Sequence, residues 1–365
     1  MKNTFGNAIS LTVFGESHGE AIGAVLDGVA PGIKIDCEYI DKRLALRRPV
    51  GSISTGRVEG DKYKIVSGVF NGYTTGAPIA IIIENEDTRS KDYSILATTP
   101  RPSHADFCAE CKYHGFQDYR GGGHFSGRIT APIVAACAIL MRALEDKGIY
   151  IGSHIKELHG AYDRDFENYA SDIATLAKRQ FPTLDSCAEE RMKKEIEKAK
   201  GDCDSVGGIL ESAIIGVPAG VGEPMFDSME SVLSHLLFSV PAVKGVEFGA
   251  GFAFADMYGS EANDAFVMKD GKVQTLSNNN AGINGGITNG MPIIIKTAIK
   301  PTPSIFKPQM SVNMRTGEHT TITLEGRHDP CIVHRARAVV DALLALGVAD
   351  MLVTRYGTDY LAPNK

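Results

Sequence analysis

Tryptophan is absent from the 365-residue chain, and the seven cysteines make an odd count. Residues 1–20 show no basic start, apolar stretch and small-residue cleavage site in order. The thiols therefore read as reduced ones in a cytoplasmic protein rather than as a disulfide framework. Long apolar runs are missing too. The longest uncharged one, Ile133 to Met141, holds nine residues, against the roughly 20 a membrane helix needs, so no membrane span or membrane partner is expected. Basic excess is lacking as well: 38 Lys and Arg face 44 Asp and Glu, for a net charge of −6. A general nucleic-acid binder carries a basic footprint, and that class is set aside. No second cysteine pair stands at zinc spacing from Cys108-Ala-Glu-Cys111, so incidental thiols are the first reading there and no metal is expected.

Glycine is what the chain has in excess: 39 residues, about 11% against a usual figure of about 7%. The excess is clustered, which points to backbone brought close to ligands or to other backbone. The balance of 22% charged and 43% hydrophobic residues is that of a globular core. Strand-like runs stand at 9–14, 21–26, 77–83, 209–217, 246–254 and 292–300. Helix signals stand at 36–48, where Asp36 is placed to cap, at 130–147, with Pro132 in the first turn, at 188–200 and at 332–346. Strands and helices mix without a βαβ cadence, so the fold class is α+β. No linker is evident, and 1–365 reads as a single domain with a peripheral polar insertion near 163–204.

Five short segments carry the chemistry. Gly15-Glu16-Ser17-His18-Gly19 ends a strand-like run and brings backbone and imidazole within reach of a ligand. Arg47-Arg48-Pro49 is followed by Gly51, Ser52, Thr55, Gly56 and Arg57, guanidiniums in a hydroxyl-rich loop that suit phosphate or carboxylate. Arg101-Pro102-Ser103-His104-Ala105-Asp106 opens a helix, with Ser103 as the expected cap and His104 in the first turn. Asp118-Tyr119-Arg120-Gly121-Gly122-Gly123-His124-Phe125-Ser126-Gly127-Arg128 is a Gly-rich turn before a helix, a general way to cradle phosphate. It matches neither the Rossmann nor the P-loop pattern. The last group comprises residues 282–290, Lys300-Pro301-Thr302-Pro303-Ser304, and Gly326-Arg327-His328-Asp329-Pro330-Cys331. Each segment alone also fits ordinary structure: a capped turn, a solvated helix end, a structural salt bridge. Together they describe an anion-rich site with at least two histidines and a carboxylate, assembled from distant segments.

In this order the blocks GESHG (15–19), LRRP (46–49), RPSHAD (101–106), DYRGGG (118–123), DSVGG (204–208), VPAVKGVEFGAGF (240–252), GGITNG (285–290), KPTPS (300–304) and GRHDPC (326–331) closely resemble the chorismate synthase family, from Gly6 to about Asp350. The resemblance implies a β-α-β sandwich in one large domain, commonly a homotetramer. It also implies anti-1,4 elimination of phosphate from 5-enolpyruvylshikimate 3-phosphate to give chorismate, with reduced FMN and no net redox change. NAD(P)H enters only where a member reduces its own flavin. By the same resemblance His18 protonates the leaving phosphate, His104 stands beside the flavin N1 region, and Asp329 serves deprotonation. Ser126, Pro241, Ala242, Gly285, Lys300, Pro301, Thr302, Pro303, Ser304 and Arg327 match flavin contacts. Arg47, Arg48, Arg57, Arg101 and Arg128 match the substrate's anions. The chain departs from the family at two places. GGRSSAR becomes Gly122-Gly123-His124-Phe125-Ser126-Gly127-Arg128, and the loop after Arg47-Arg48-Pro49 is shorter and lacks a further arginine.

Overall fold

The run Ile79 to Glu84 places Ile79, Ile81 and Ile83 out of solvent while the residues between them stay half-exposed or exposed. That period of two is a strand with one face on a core. The computed structural model describes residues 2–49, 51–54, 60–86, 95–324 and 329–363. In it this strand, β7 (Ile79–Glu84), belongs to a five-stranded antiparallel sheet ordered β1 (Thr4–Phe5), β2 (Ser10–Gly15), β3 (Ala21–Asp27), β7, β4 (Tyr63–Ser67). A second antiparallel sheet runs β11 (Val243–Phe248), β16 (Ile293–Ile299), β10 (Gly208–Ile215), β8 (Tyr150–Leu158), β9 (Ala161–Tyr162). Smaller hairpins are β5–β6 (Val69–Phe70, Tyr73–Thr74), β12–β13 (Phe266–Lys269, Lys272–Thr275), β14–β15 (Ile283–Asn284, Ile287–Thr288) and β17–β18 (Gln309–Val312, His319–Ile322).

Between the two sheets lies a helical layer. Helix α1 (Cys37–Ala45) starts at Asp36, whose carboxylate accepts from the Tyr39 amide. Helix α2 (Asp106–Tyr113) stands at the rim. Helix α3 (Thr130–Glu145) is apolar nearly all round, and such a helix is a buried one. By length and composition Gly127–Glu145 could cross a membrane, yet 78% of it is buried inside this molecule. It packs on β3 and β7 on one side and on helix α8 (Val333–Tyr356) on the other, and α8 packs in turn on β8 and β10. This stacking gives the β-α-β sandwich. The polar stretch 163–204 supplies α4 (Tyr169–Leu176), against β8 and β10, and α5 (Ser186–Gly201), whose Met192 and Ile196 enter the core. Helix α6 (Met229–Ser239) lies on α8 and β11, and α7 (Gly259–Ala262) is a single turn.

Charged groups on α8 tie the layers. Asp341 accepts from Arg43 of α1 at 2.7 Å and from the Ser153 hydroxyl of β8 at 2.5 Å. Asp350 accepts from three successive backbone amides, those of Asn7, Ala8 and Ile9, at 3.0, 2.7 and 2.8 Å. A buried carboxylate with this many donors needs no second charge nearby.

His334 stacks on Phe181 and shares a 2.9 Å hydrogen bond with the Ser54 hydroxyl. Burial, helped by the charges of Arg335, Lys193 and Arg337, pushes its pKa down to about 3. The unfolded chain takes up this proton near pH 6.5, so the contribution is fully present above that pH and is lost as pH falls toward the folded value. The expected slope is about 1.4 kcal/mol per pH unit for this one group. Urea unfolding between about pH 6.5 and 4.5 should be flatter for His334→Gln by that amount, and equal slopes would refute the assignment.

Candidate active site

Eight separate stretches of the chain converge on one cavity of about 1080 Å³. Its floor is apolar, with Leu11 and Val13 from β2, Ile133 from α3, and Val339, Leu343 and Leu346 from α8. Its walls carry Lys2, Arg47, Arg48, Arg128, Lys244, Lys300 and Arg335. An apolar floor beneath many cations suits a flat ring system bearing anionic groups.

The Gly-rich turn forms one wall. Gly121, Gly122 and Gly123 all have positive φ (57°, 88° and 52°). At Gly121 glycine is needed for space as well, because a Cβ would stand 2.1 Å from Cε1 of His18. The Gly123 carbonyl accepts from the Ser17 amide at 3.2 Å, joining this turn to GESHG. His124 Nδ1 lies 2.8 Å from the Gly15 carbonyl and so donates to it, a second tie between the same segments.

Asp61 sits between two arginines. One oxygen accepts from Arg47 at 2.8 Å and the other from Arg128. Arg47 also donates to the Gly127 carbonyl and the Thr130 hydroxyl, both at 3.0 Å. The three side chains are each less than a tenth exposed. On the opposite wall Lys300 donates to the Ser103 carbonyl at 2.6 Å, and its amide donates to the Ala242 carbonyl at 2.9 Å. Ser103 and Ala242 are both non-glycine residues with positive φ (59° and 77°). Backbone held in that region gathers at ligand sites, and one lysine fastens both. Burial and the neighbouring Lys244 charge lower the Lys300 pKa.

The family model described as chorismate synthase matches residues 9–353. The chain belongs to the chorismate synthase family. Among relatives, the chorismate synthase of Pyrococcus abyssi is 46% identical over 351 residues, spanning 96% of this chain and 97% of that protein. That of Thermococcus kodakarensis is 44% identical over 350 residues with the same coverage. A solved chorismate synthase structure superposes with a TM-score of 0.77 at 28% identity, covering 97% of this chain and 94% of the other. Chorismate synthases are lyases of the shikimate pathway, and this chain carries that activity.

Of the residues expected at a chorismate synthase site, His104, Asp329, Ser126, Pro241, Ala242, Lys300, Thr302, Pro303, Ser304, Arg47, Arg48 and Arg128 border the cavity. His18 does not itself line it. It is 6% exposed, behind Gly121, with Nδ1 3.0 Å from the Ser17 hydroxyl. Pro301 stands behind the lining, and Gly285 lies in the β14–β15 turn, away from the cavity of its own protomer. Arg57 and Arg327 fall outside the described residues. Arg101 departs from its expected place: it is 7% exposed and its guanidinium is turned onto Asp106 rather than into the cavity. Ser103 does not cap α2, since its φ of 59° turns the chain, and His104 precedes the helix instead of starting it.

Sequence reasoning missed Asp61, Lys244 and Arg335. Asp61 and Lys244 carry no local signal. Arg335 does: it stands six residues after Asp329, in the first turn of α8, and pairs with it. The same arginine donates to the Arg47 carbonyl at 2.7 Å. Cys108 and Cys111 are exposed free thiols on α2, and among the described residues no group of ligands could hold a metal.

Proposed function

We propose that the cavity binds reduced FMN together with 5-enolpyruvylshikimate 3-phosphate and that the chain performs the anti-1,4 elimination giving chorismate and phosphate. The observation that carries this is the meeting of His104, Asp329 and seven cations on one apolar-floored cavity. The donor set fits a flavin mononucleotide. Leu11, Val13, Ile133 and the α8 side chains offer a flat apolar bed. Ser126, Pro241, Ala242, Lys300, Thr302, Pro303 and Ser304 border it, and Pro301 and Arg327 join them as the flavin contacts the family resemblance implies. When bound, reduced FMN supplies electron density to the substrate without net consumption.

Every other task falls to the chain. Arg47, Arg48 and Arg128, together with Arg57 ten residues after Arg47 in the sequence, hold the substrate's phosphate and carboxylates, and their charge grows in value as phosphate separates. His18 holds the proton for the departing phosphate, with Ser17 fixing its ring. His104 stands beside the cofactor, where its ring can take up a proton on the cavity side as negative charge forms there. Asp329, paired with Arg335, draws the proton removed from the ring carbon. Gly285, outside its own protomer's cavity, stands on a surface available to another copy. The exposed Phe252, Tyr258, Phe266, Met268 and Leu276 support a homotetramer, a size that light scattering checks. We assign the enzyme to the cytoplasm.

The test is phosphate release and chorismate formation under anaerobic conditions with chemically reduced FMN, compared with NADPH plus oxidised FMN. Product with catalytic reductant supports the lyase reading. Stoichiometric loss of reductant would instead show an oxidoreductase, and tight FMN binding with no product a binding protein. Product in the NADPH arm would show that the chain reduces its own flavin.

A further inference from the structure

Asp106 opens α2 with a carboxylate in which both oxygens are engaged. Oδ2 accepts from the Arg101 amide at 2.9 Å and from Arg101 Nε at 2.8 Å. Oδ1 accepts from the same guanidinium at 2.8 Å and faces His104 Nδ1 at 2.7 Å. The positive φ of Ser103 folds Arg101 and His104 back onto this carboxylate, and the His104 amide donates to the Arg101 carbonyl at 3.2 Å.

The position of the proton on His104 follows. Nδ1 lies 2.7 Å from a carboxylate oxygen and 3.0 Å from an Arg101 nitrogen. Without a hydrogen, Nδ1 would set a lone pair against the carboxylate at the shorter of the two distances. With one, it donates a charge-assisted bond there, and such bonds are the stronger kind. The opposite, Cε1–Nε2 edge of the ring lies toward Gly122, where a Cβ would stand 3.6 Å from Nε2, and His104 lines the cavity. Burial raises the Asp106 pKa, but the hydrogen bonds from Arg101 and His104 outweigh it and hold the carboxyl well below the usual range.

We propose that Asp106, braced by Arg101, is a positioning residue that keeps the His104 proton on Nδ1 and presents Nε2 to the cavity. This deepens the reading above, in which His104 stands beside the cofactor, and it gives Arg101 a task other than holding substrate. An orienting carboxylate behind a working imidazole fixes both tautomer and ring plane.

The experiment uses the full-length protein labelled with 13C and 15N histidine, without cofactor, and reads the His104 tautomer from its ring shifts. The expected result is a single Nδ1–H form in the wild type, mixed tautomers in Asp106→Asn, and the wild-type form again in Asp106→Glu. Turnover with reduced FMN should fall about 10- to 100-fold in Asp106→Asn, with substrate KM unchanged and partial recovery in Asp106→Glu. Should Asp106→Asn fail to fold, Arg101→Gln reads the same shifts and the same KM against kcat split. An unaltered tautomer in these variants would overturn the proposal, as would a loss confined to KM. If His104→Ala itself left turnover intact, the role of His104 beside the cofactor would fall, and the tautomer measurement would still stand or fall alone.

Discussion

His18→Ala is expected to lower single-turnover elimination by about 10²- to 10⁴-fold, the usual contribution of one general acid, while substrate continues to titrate normally. The asymmetry follows from timing. A proton held for the departing phosphate gains value only as charge builds on that oxygen, so its loss is felt in the transition state and little in the ground state. Arg47→Ala, by contrast, removes what the proposed function makes an anion contact from the start, and should weaken affinity as well as rate. Asp329→Asn keeps shape but loses charge and basicity, so binding should persist while hydrogen removal slows. Anaerobic single-turnover kinetics with reduced FMN, beside substrate titration, separates these cases. If His18→Ala turned over normally, or failed only by losing substrate, it would not be the proton donor.

Asp61→Ala should cost the fold about 3–5 kcal/mol, the penalty for removing one partner of a buried charge pair. Here the penalty is shared by two guanidiniums, Arg47 and Arg128, that meet on the one carboxylate with under a tenth of each side chain exposed. Arg47 keeps its bonds to Gly127 and Thr130, which limits the loss to the charge itself. Urea unfolding at neutral pH measures it. A change below about 1 kcal/mol, the range of exposed pairs, would mean that the arginines reach water once Asp61 is gone.

The elements that pattern announced are present: β2, β3, β7, β10 and β16 fall within two residues of the expected runs, and Asp36 caps α1 as its side-chain type suggests. The misreadings have local causes. The last helix was expected over 332–346, yet α8 runs on past Gly347 to Tyr356. Gly347 is there for packing: a Cβ would come within 2.7 Å of Leu233 and 2.9 Å of Leu236 on α6. The strand expected over 246–254 ends at Phe248, because Gly249 and Gly251 adopt positive φ and turn the chain. At the site, motif blocks pointed to the right segments but not to the direction of each side chain. Arg101 and Arg128 look alike in sequence. Only the fold shows that the first pairs with Asp106 away from the cavity, while the second, paired with Asp61, lines its wall. Asp61 was invisible because its meaning lies in two arginines that are 14 and 67 residues away.

The three amides gathered by Asp350 join positions separated by as many as 343 residues. Chain made from its N-terminus therefore holds residues 7–9 without their acceptor until nearly all of α8 has been synthesised. Contacts of such separation are slow to form, and a nascent chain leaves the connection between β1 and β2 unfastened for that whole interval. Chaperone engagement of this protein should accordingly persist until the last helix is released, and a chain stalled short of residue 350 should remain protease-sensitive at its very beginning.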